Sequence, residues 1–124
     1  MNQFKSTAYQ IGESEIRPWG SWQVLDVGPG YAVKRILVSP GKRLSLQSHN
    51  YRSELWNVVS GFGLVTIGGD ENPVQIGSHI YIPRDTRHRL CNSGESDLLL
   101  IEVQYGKKIS EQDIVRIEDD FDRV

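Results

Sequence analysis

Two short stretches of the sequence carry residue types that bind divalent metal ions. Gln47 and His49 are separated by one residue, so their side chains project from the same face of an extended strand. Glu54 can return from the next strand after a short turn, and His88 follows further along the chain. Two imidazoles, one carboxylate and one amide oxygen leave room for water or a chelating substrate, the open arrangement that catalytic metals need. The spacing therefore predicts one metal site assembled from three strands.

These residue types restrict the chemistry of the site without choosing the metal. A mixed nitrogen and oxygen shell accepts zinc, manganese, cobalt, nickel or iron according to availability. His49 and His88 must be unprotonated to coordinate, so we expect metal loss and falling activity in acid. The alternative is that two histidines and a glutamate are scattered without a shared role, but their spacing and order favour a site. His79 lies outside the pattern and is expected to be a strand or surface residue.

The composition limits the number of domains and the kinds of partner. The 124 residues suffice for one domain with a core around a small cavity. The net charge of -2 gives no extended positive field, so nucleic acid and anionic membranes are poor partners and a small solute is favoured. Cys91 is the only cysteine, which excludes an intramolecular disulfide and is typical of a reducing compartment. With no long apolar run and no apolar signal at the start, the sequence predicts a cytosolic (cytoplasmic) protein without a membrane anchor.

Short β-rich segments separated by glycine and proline must position the ligands. Such a series is typical of sandwiches and barrels closed by antiparallel strands. Residues 1–16 show no clear period and are predicted to form an N-terminal arm. Ser110 and the acidic residues after it predict a short helix at most. The predicted strands cover residues 22–27, 31–38, 43–49, 54–60, 64–67, 74–76, 79–82, 87–91 and 97–104.

Glu102 is an acidic residue inside an apolar strand. Period two places it on the same face as Leu98 and Leu100, so its carboxylate is expected to be partly desolvated. Desolvation raises a carboxyl pKa, which suits proton transfer. The alternative is a buried ion pair with Lys34 or Arg35 that is purely structural. The sequence does not choose between these two roles.

Several cations are available to anchor an anionic substrate. Lys34 and Arg35 are adjacent and face opposite ways, and the sequence does not choose between them. If His88 faces the cavity, Arg87 and Arg89 begin on the opposite face of their strand, so a surface position is favoured for each unless a bend intervenes. We expect Lys34 and Arg89 to contribute to substrate binding.

The order of these residues resembles the two sequence motifs of the cupin superfamily. Residues 77–92 resemble the second motif, G-x5-P-x-G-x2-H-x3-N, with Asp85 in place of its internal glycine. The first motif, G-x5-H-x-H-x3,4-E-x6-G, is matched with Gln47 in place of its first histidine. The resemblance implies an all-β fold, the cupin double-stranded β-helix (jelly-roll) barrel, over residues 17–124 with short terminal extensions. The residues that match the first motif are Gly41, Gln47, His49, Glu54 and Gly61.

A more specific resemblance is to the type II mannose-6-phosphate isomerase (phosphomannose isomerase) domain. It implies a zinc shell made by Gln47, His49, Glu54 and His88, whereas cupin dioxygenases generally keep three histidines. It also implies that Arg52 is the catalytic or substrate-orienting cation, and its guanidinium fork suits phosphate or an enediolate oxygen. The alternative is a solvated turn arginine. The segments that match are 17–20, 33–36, 44–47, 52–56, 88–90, 100–104 and 113–116.

This resemblance implies an enzyme that interconverts mannose 6-phosphate and fructose 6-phosphate. The proton moves between C2 and C1 through a cis-enediol, whose developing oxygen charge a divalent cation stabilises. The alternatives are a noncatalytic cupin that binds a sugar or sugar nucleotide, and a metal-dependent dioxygenase, which Gln47 disfavours. In the family a mannose-1-phosphate guanylyltransferase commonly precedes this domain, and its Gly-rich loop is absent here. The expected partner is a sugar phosphate, and exposed barrel edges would also allow a homodimer.

Overall fold

The computed structural model describes residues 8–107 and 109–121, and these residues fold almost entirely into β-strands. The one helical element within these ranges is a 3-10 turn, Glu111–Asp113. The predicted all-β class is therefore confirmed, and no described helix has the length and apolar character needed to cross a membrane. The strands are β1 (Ser14–Arg17), β2 (Gly20–Gly28), β3 (Tyr31–Val38), β4 (Leu46–Ser48), β5 (Arg52–Ser60), β6 (Gly63–Ile67), β7 (Asp70–Val74), β8 (His79–Ile82), β9 (His88–Asn92), β10 (Leu98–Gly106) and β11 (Val115–Glu118).

The strands form two antiparallel sheets rather than one closed hydrogen-bonded ring. The larger sheet has the order β1-β2-β3-β10-β5-β8, and the smaller has the order β11-β4-β9-β6-β7. From β3 onward the chain passes repeatedly from one sheet to the other. Both inner faces supply one core, in which Trp22, Val24 and Leu100 of the larger sheet join Val65 and Leu90 of the smaller. The core therefore lies between the sheets.

The inner face of the larger sheet changes from apolar to polar along its central strands. In β10, Leu100 is buried toward one end, and Glu102 and Gln104 are buried toward the other. The neighbouring strand matches this change, because Val58 lies opposite Leu100 and Glu54 lies opposite Gln104. Period two sends these alternate side chains inward. The sandwich therefore has an apolar end and a polar end.

The strand pattern differs from the expectation in a few places. β1 and β11 are additional strands, and both are short, largely exposed edge strands whose sequences carry little periodic hydrophobic signal. The strand predicted over 74–76 lies earlier, as β7, and the strand predicted over 43–49 is regular only in β4. Residues 1–7 of the predicted arm lie outside the described residues. β1 spans the predicted boundary at residue 17, and the division into arm and domain stays a prediction.

Candidate functional site

Three of the four predicted metal ligands meet at the polar end of the sandwich. Ligand atoms of His49, Glu54 and His88 all lie within 4.8 Å of one another. Nδ1 of His49 lies 3.6 Å from one carboxylate oxygen of Glu54, and Nε2 of His88 lies 3.9 Å from the other. Two ligands of a tetrahedral zinc ion lie roughly 3.4 Å apart, given bonds of about 2.1 Å. The three side chains therefore fit around one ion after small adjustments.

Both sheets contribute to this cluster. Glu54 comes from β5 of the larger sheet, whereas Gln47 and His88 lie directly opposite each other in β4 and β9 of the smaller sheet. Paired residues of an antiparallel ladder project from the same face, so the amide of Gln47 starts beside the imidazole of His88. Gln47 is buried and lines the same cavity as His49 and Glu54. The fold thus brings all four predicted ligands to one place.

The imidazole rings have nitrogens free for coordination. Nδ1 of His88 lies 2.9 Å from the carbonyl oxygen of Thr86, which can only accept, so this nitrogen carries the proton and Nε2 keeps its lone pair. Among the described residues, Nε2 of His88 and Nε2 of His49 are buried and have no hydrogen-bond partner. Such atoms are rare in proteins because each costs free energy. Two imidazoles, a carboxylate and an amide oxygen suit a divalent ion, so the residues fit the predicted metal.

Burial sets the protonation state of the cluster. It lowers the pKa of His49 to about 3 and also lowers the pKa of His88 below its ordinary value. Burial alone would raise the pKa of Glu54, but electrostatic interactions with His49 and Arg52 outweigh it and hold that pKa below its usual range. At neutral pH the cluster therefore offers neutral imidazoles and an ionised carboxylate, the state that coordination requires.

The turn before β9 supports the position of His49. Asp85 has a φ of 60°, which makes it the only non-glycine residue in the described ranges with a left-handed backbone. Its N–H donates to the carbonyl oxygen of His49 at 2.8 Å. The cupin motif has glycine at this position, and glycine adopts the conformation without steric cost. The replacement in this chain keeps the turn and introduces backbone strain.

Arg52 is buried beside the cluster, so the alternative of a solvated turn arginine is wrong. Its Nε donates to a carboxylate oxygen of Glu54 at 2.8 Å, and its Nη1 donates to the carbonyl oxygen of Ser110 at 2.6 Å. These two bonds fix the plane of the guanidinium. Because Arg52 also lines the cavity, it is placed to orient an anionic group next to the cluster.

Glu102 is buried on the cavity face of β10, as period two predicts. The indole Nε1 of Trp56 donates both to Glu102 and to Glu54, at 3.0 Å from each. The amide of Gln104 donates to the second oxygen of Glu102. Burial, and then the negative charge of Glu54, raise the pKa of Glu102 to about 8. A carboxyl group with a pKa near neutrality is suited to proton transfer.

Lys34, and not Arg35, faces the interior. Lys34 is buried and lies opposite Glu102 in the ladder of β3 and β10, whereas Arg35 is exposed. The ammonium of Lys34 donates to Glu111 at 2.8 Å and to the phenolic oxygen of Tyr9 at 2.6 Å. Among the described residues no contact of ion-pair distance joins Glu102 to either cation, although the charge of Lys34 lowers the pKa of Glu102 and so opposes the effect of burial.

Arg89 is not among the residues that line this cavity, and its contribution to substrate binding stays a prediction. Its Nε donates to the carbonyl oxygen of Leu44 at 2.9 Å, and its Nη1 donates to the carboxylate of Glu118 at 3.4 Å. The surface position favoured from strand parity is wrong, because Arg89 is buried against β11. These contacts join β9 to the segment before β4 and to β11. His79 is exposed in β8, as expected.

The cavity also involves residues that the sequence did not single out. Its volume of about 50 Å³ holds a few water molecules, whereas ligand pockets are typically about 300 Å³ or larger. Arg17 and Glu111 form part of its wall, and Tyr9 donates a hydrogen bond to Glu111. Tyr9 and Glu111 come from opposite ends of the chain, so no spacing rule relates them. Gln104 could have been identified from the sequence, because it lies two residues beyond Glu102 and therefore faces the same side of the strand.

A family model described as mannose-6-phosphate isomerase C-terminal matches residues 5–119 of this chain. The match covers all four predicted ligands, together with Arg52 and Glu102. The family that the sequence motifs indicated is therefore confirmed at the level of this domain.

Curated proteins from several bacteria are similar to the chain. It is 46% identical over 108 residues to the mannose-1-phosphate guanylyltransferase ManC of Salmonella typhimurium, covering 87% of this chain and 22% of that protein. It is 48% identical over 107 residues to the xanthan biosynthesis protein XanB of Xanthomonas campestris, covering 86% and 23%. It is 46% identical over 107 residues to the alginate biosynthesis protein AlgA of Pseudomonas aeruginosa, covering 86% and 22%. The chain thus spans less than a quarter of the length of these relatives.

Solved structures support the fold. A Klebsiella pneumoniae protein with a double-stranded β-helix domain matches with a TM-score of 0.69 and 17% identity, covering 93% of both chains. A cupin 2 conserved barrel domain protein from Salinispora arenicola matches with a TM-score of 0.61 and 22% identity, covering 68% of this chain and 73% of that one. The predicted cupin double-stranded β-helix is therefore confirmed. Together with the match over residues 5–119, this shows that the chain belongs to the mannose-6-phosphate isomerase C-terminal family of cupin domains.

Proposed function

We propose that this domain is a metal-dependent isomerase of the type II class that interconverts mannose 6-phosphate and fructose 6-phosphate through a cis-enediol. The observation that carries the proposal is the convergence of His49, Glu54 and His88 within 4.8 Å, beside a buried arginine and a carboxyl group of raised pKa. This set contains a metal site, a fixed cation and a proton acceptor. Aldose-to-ketose isomerisation needs these three functions.

Gln47, His49, Glu54 and His88 would hold the ion, with zinc as the proposed metal. When bound, the ion would supply Lewis-acid stabilisation of the negative charge that develops on O1 and O2 of the sugar. Because Glu54 is the one charged ligand among otherwise neutral ones, the divalent ion and its ligands together would keep a net positive charge. The hydrogen bond from His88 Nδ1 to Thr86 holds the ring so that Nε2 faces the cluster.

Glu102 is the proposed proton carrier. Its ionised carboxylate takes the proton from C2 and returns it to C1 on the same face of the enediol, while the hydroxyl proton passes from O2 to O1. The carboxylate therefore ends in the state in which it began. A pKa of about 8 leaves a useful fraction ionised near neutral pH and makes the protonated form a competent acid. The bonds from Trp56 and Gln104 fix the carboxylate, which favours transfer between two neighbouring carbons.

Arg52 is the proposed orienting cation. Its contacts with Glu54 and Ser110 hold the guanidinium in one plane beside the cluster. From there it would stabilise negative charge on a substrate oxygen bound beside the cluster. Lys34, the other buried cation of the cavity, is the proposed anchor for the phosphate group.

The names of the relatives support a mannose-linked substrate. The Salmonella relative is named a mannose-1-phosphate guanylyltransferase, and the matching family is named for mannose-6-phosphate isomerase. The proposal covers the isomerase chemistry of this domain alone. It also includes a cytosolic location, from the single cysteine Cys91, and self-association through an exposed sheet edge such as β1.

The test is a coupled assay of the zinc-loaded protein with mannose 6-phosphate, run in parallel in D₂O and followed by NMR. We expect fructose 6-phosphate to form and deuterium to appear at C1, because the transferred proton exchanges with solvent in part. The variant His88→Ala should lose both signals. Tight binding of the sugar phosphate with neither turnover nor deuterium exchange would contradict the proposal and support a noncatalytic sugar-binding cupin.

A further inference from the structure

The cationic side of the cavity is occupied by a side chain of the protein itself. The carboxylate of Glu111, on the 3-10 turn Glu111–Asp113, reaches into the wall of the cavity. One of its oxygens accepts hydrogen bonds from the ammonium of Lys34 and from the phenol of Tyr9. The other lies 3.6 Å from Nη2 of Arg17. An ammonium, a guanidinium and a hydroxyl around an anion are the donors that proteins use for phosphate.

The donor group of Lys34 is held in place by more than Glu111. Its Nζ lies 4.0 Å from the ring centroid of Tyr9 and 4.0 Å from that of Trp22, so two aromatic faces support the charge. Its alkyl chain is buried in β3. The ammonium is therefore fixed at this position whether the anion beside it is a carboxylate or another oxyanion.

The segment that carries Glu111 is attached on both sides. The carbonyl oxygen of Ser110 accepts from Arg52, and the carboxylate of Asp113 accepts from the backbone N–H groups of Asn50 and Tyr51, each at 2.9 Å. We call residues 110–113 the strap. The strap joins the cationic site to the turn between His49 and Arg52. The cavity beneath it has a volume of only about 50 Å³, too small for a hexose phosphate.

We propose that Lys34, Tyr9 and Arg17 form an oxyanion-binding subsite, and that Glu111 is an internal occupant which the phosphate of the substrate displaces. The subsite rests on the described contacts, and only the identity of the phosphate-bearing sugar rests on the proposed isomerase function. A phosphate dianion carries more charge than one carboxylate, so the exchange strengthens the interaction with the two cations. The departure of Glu111 also opens the cavity, which links substrate capture to access.

The test is the affinity of the full chain for inorganic phosphate, measured by isothermal titration calorimetry. Glu111→Gln removes the competing charge and keeps the size of the side chain, so we expect roughly tenfold tighter binding than in the wild type, as for a site that its internal occupant fills about nine-tenths of the time. Asp120→Asn is the matched control, because it removes the same charge from an exposed ion pair with Arg43. The control should change the affinity by less than about twofold.

Two further variants show whether phosphate binds at this subsite or elsewhere, such as at the metal ligands. Lys34→Met combined with Glu111→Gln should abolish the gain, which assigns the bound phosphate to this subsite rather than to the metal ligands. Glu111→Asp keeps the charge and withdraws the carboxylate by one methylene, so it should bind phosphate a few-fold more tightly even if Glu111→Gln fails to fold. The inference is overturned if both Glu111 variants bind phosphate no more tightly than Asp120→Asn, or if the double variant keeps the gain. These outcomes do not depend on isomerase turnover.

Discussion

The carboxylates of Glu54 and Glu102 share one hydrogen-bond donor, the indole Nε1–H of Trp56, which lies 3.0 Å from an oxygen of each. Their environments push the two pKa values apart. Interactions with His49 and Arg52 lower the pKa of Glu54 despite burial, whereas burial and the charge of Glu54 raise the pKa of Glu102 to about 8. One carboxyl group is thereby kept ionised, and the other holds its proton to a higher pH than an ordinary carboxyl group.

The proton on Glu102 gives a prediction about stability and pH. Its pKa is 4.5 in the unfolded chain and about 8 in the folded protein, so its contribution to the free energy of unfolding is complete below pH 4.5 and is lost as the pH rises to about 8. We measure the free energy of unfolding of the metal-free proteins by urea denaturation. Between pH 6 and pH 8 we expect this free energy to fall by about 2 kcal/mol more in the wild type than in Glu102→Gln. Glu118→Gln, a substitution at an exposed site, should show the same fall in the free energy of unfolding as the wild type. Equal pH slopes for the wild type and Glu102→Gln would show that Glu102 is ionised in the fold.

The lowered pKa of the imidazoles sets the pH range of metal binding. Because burial brings the pKa of His49 to about 3 and lowers that of His88, protons compete with the metal only in acid well below an ordinary histidine pKa. In the Glu102→Gln variant, which removes the titration of Glu102 near pH 8, we expect zinc affinity, measured by competition with a chelator, to change less than about threefold between pH 8 and pH 6 and to fall at lower pH. A steep loss beginning near pH 6.5 would mean that the histidines titrate as exposed groups do.

The period-two pattern correctly predicted which side chains of β10 face the interior. Such a pattern does not predict which other elements pack against a strand face. Glu102 lies inward with Leu98 and Leu100, as alternation requires, because side-chain direction in a strand is a local property. Arg89 follows His88 in β9 and therefore faces the opposite side of the strand, as expected. It is nevertheless buried, because the edge strand β11, which the sequence did not reveal, covers it. Local pattern determines the face, and long-range packing determines exposure.

The cluster of His49, Glu54 and His88 was predictable because the residue types and their order match a known motif. Glu111 and Tyr9 were not, since their contact joins positions 102 residues apart in a fold whose terminal segments carry weak periodic signals. Lys34 and Arg35 illustrate the same limit. They are adjacent, and only the register of β3 against β10 selects Lys34 for the interior.

The two hydrogen bonds of Arg52 predict that a lysine cannot replace its guanidinium. Its guanidinium bonds at once to Glu54 and to the carbonyl of Ser110, which a single ammonium cannot reproduce with the same geometry. We expect Arg52→Lys to lower kcat for mannose 6-phosphate about 100-fold while zinc content stays near that of the wild type. Arg35→Lys, on the exposed face of β3, is the matched control and should keep normal turnover. Unchanged turnover in Arg52→Lys would remove Arg52 from the mechanism.

Asp85 gives a prediction about backbone strain. Its left-handed φ of 60° favours glycine, so Asp85→Gly should fold with a melting temperature equal to or above that of the wild type. A β-branched residue tolerates this conformation poorly, so Asp85→Val should destabilise the protein by about 1–2 kcal/mol and weaken zinc binding, because the N–H of this residue supports His49. Thermal unfolding and chelator competition measure both effects. Equal stability of the two variants would contradict the strain.

The most direct test of the metal centre is the zinc content of protein loaded with the metal and then dialysed, measured for the wild type, His88→Ala and His79→Ala. His88 belongs to the cluster, whereas His79 is exposed on β8, so the two variants remove the same side chain from different environments. We expect about one zinc per chain in the wild type and in His79→Ala, and less than about a tenth of that in His88→Ala. Equal zinc content in all three proteins, or none in the wild type, would contradict a metal centre formed by Gln47, His49, Glu54 and His88.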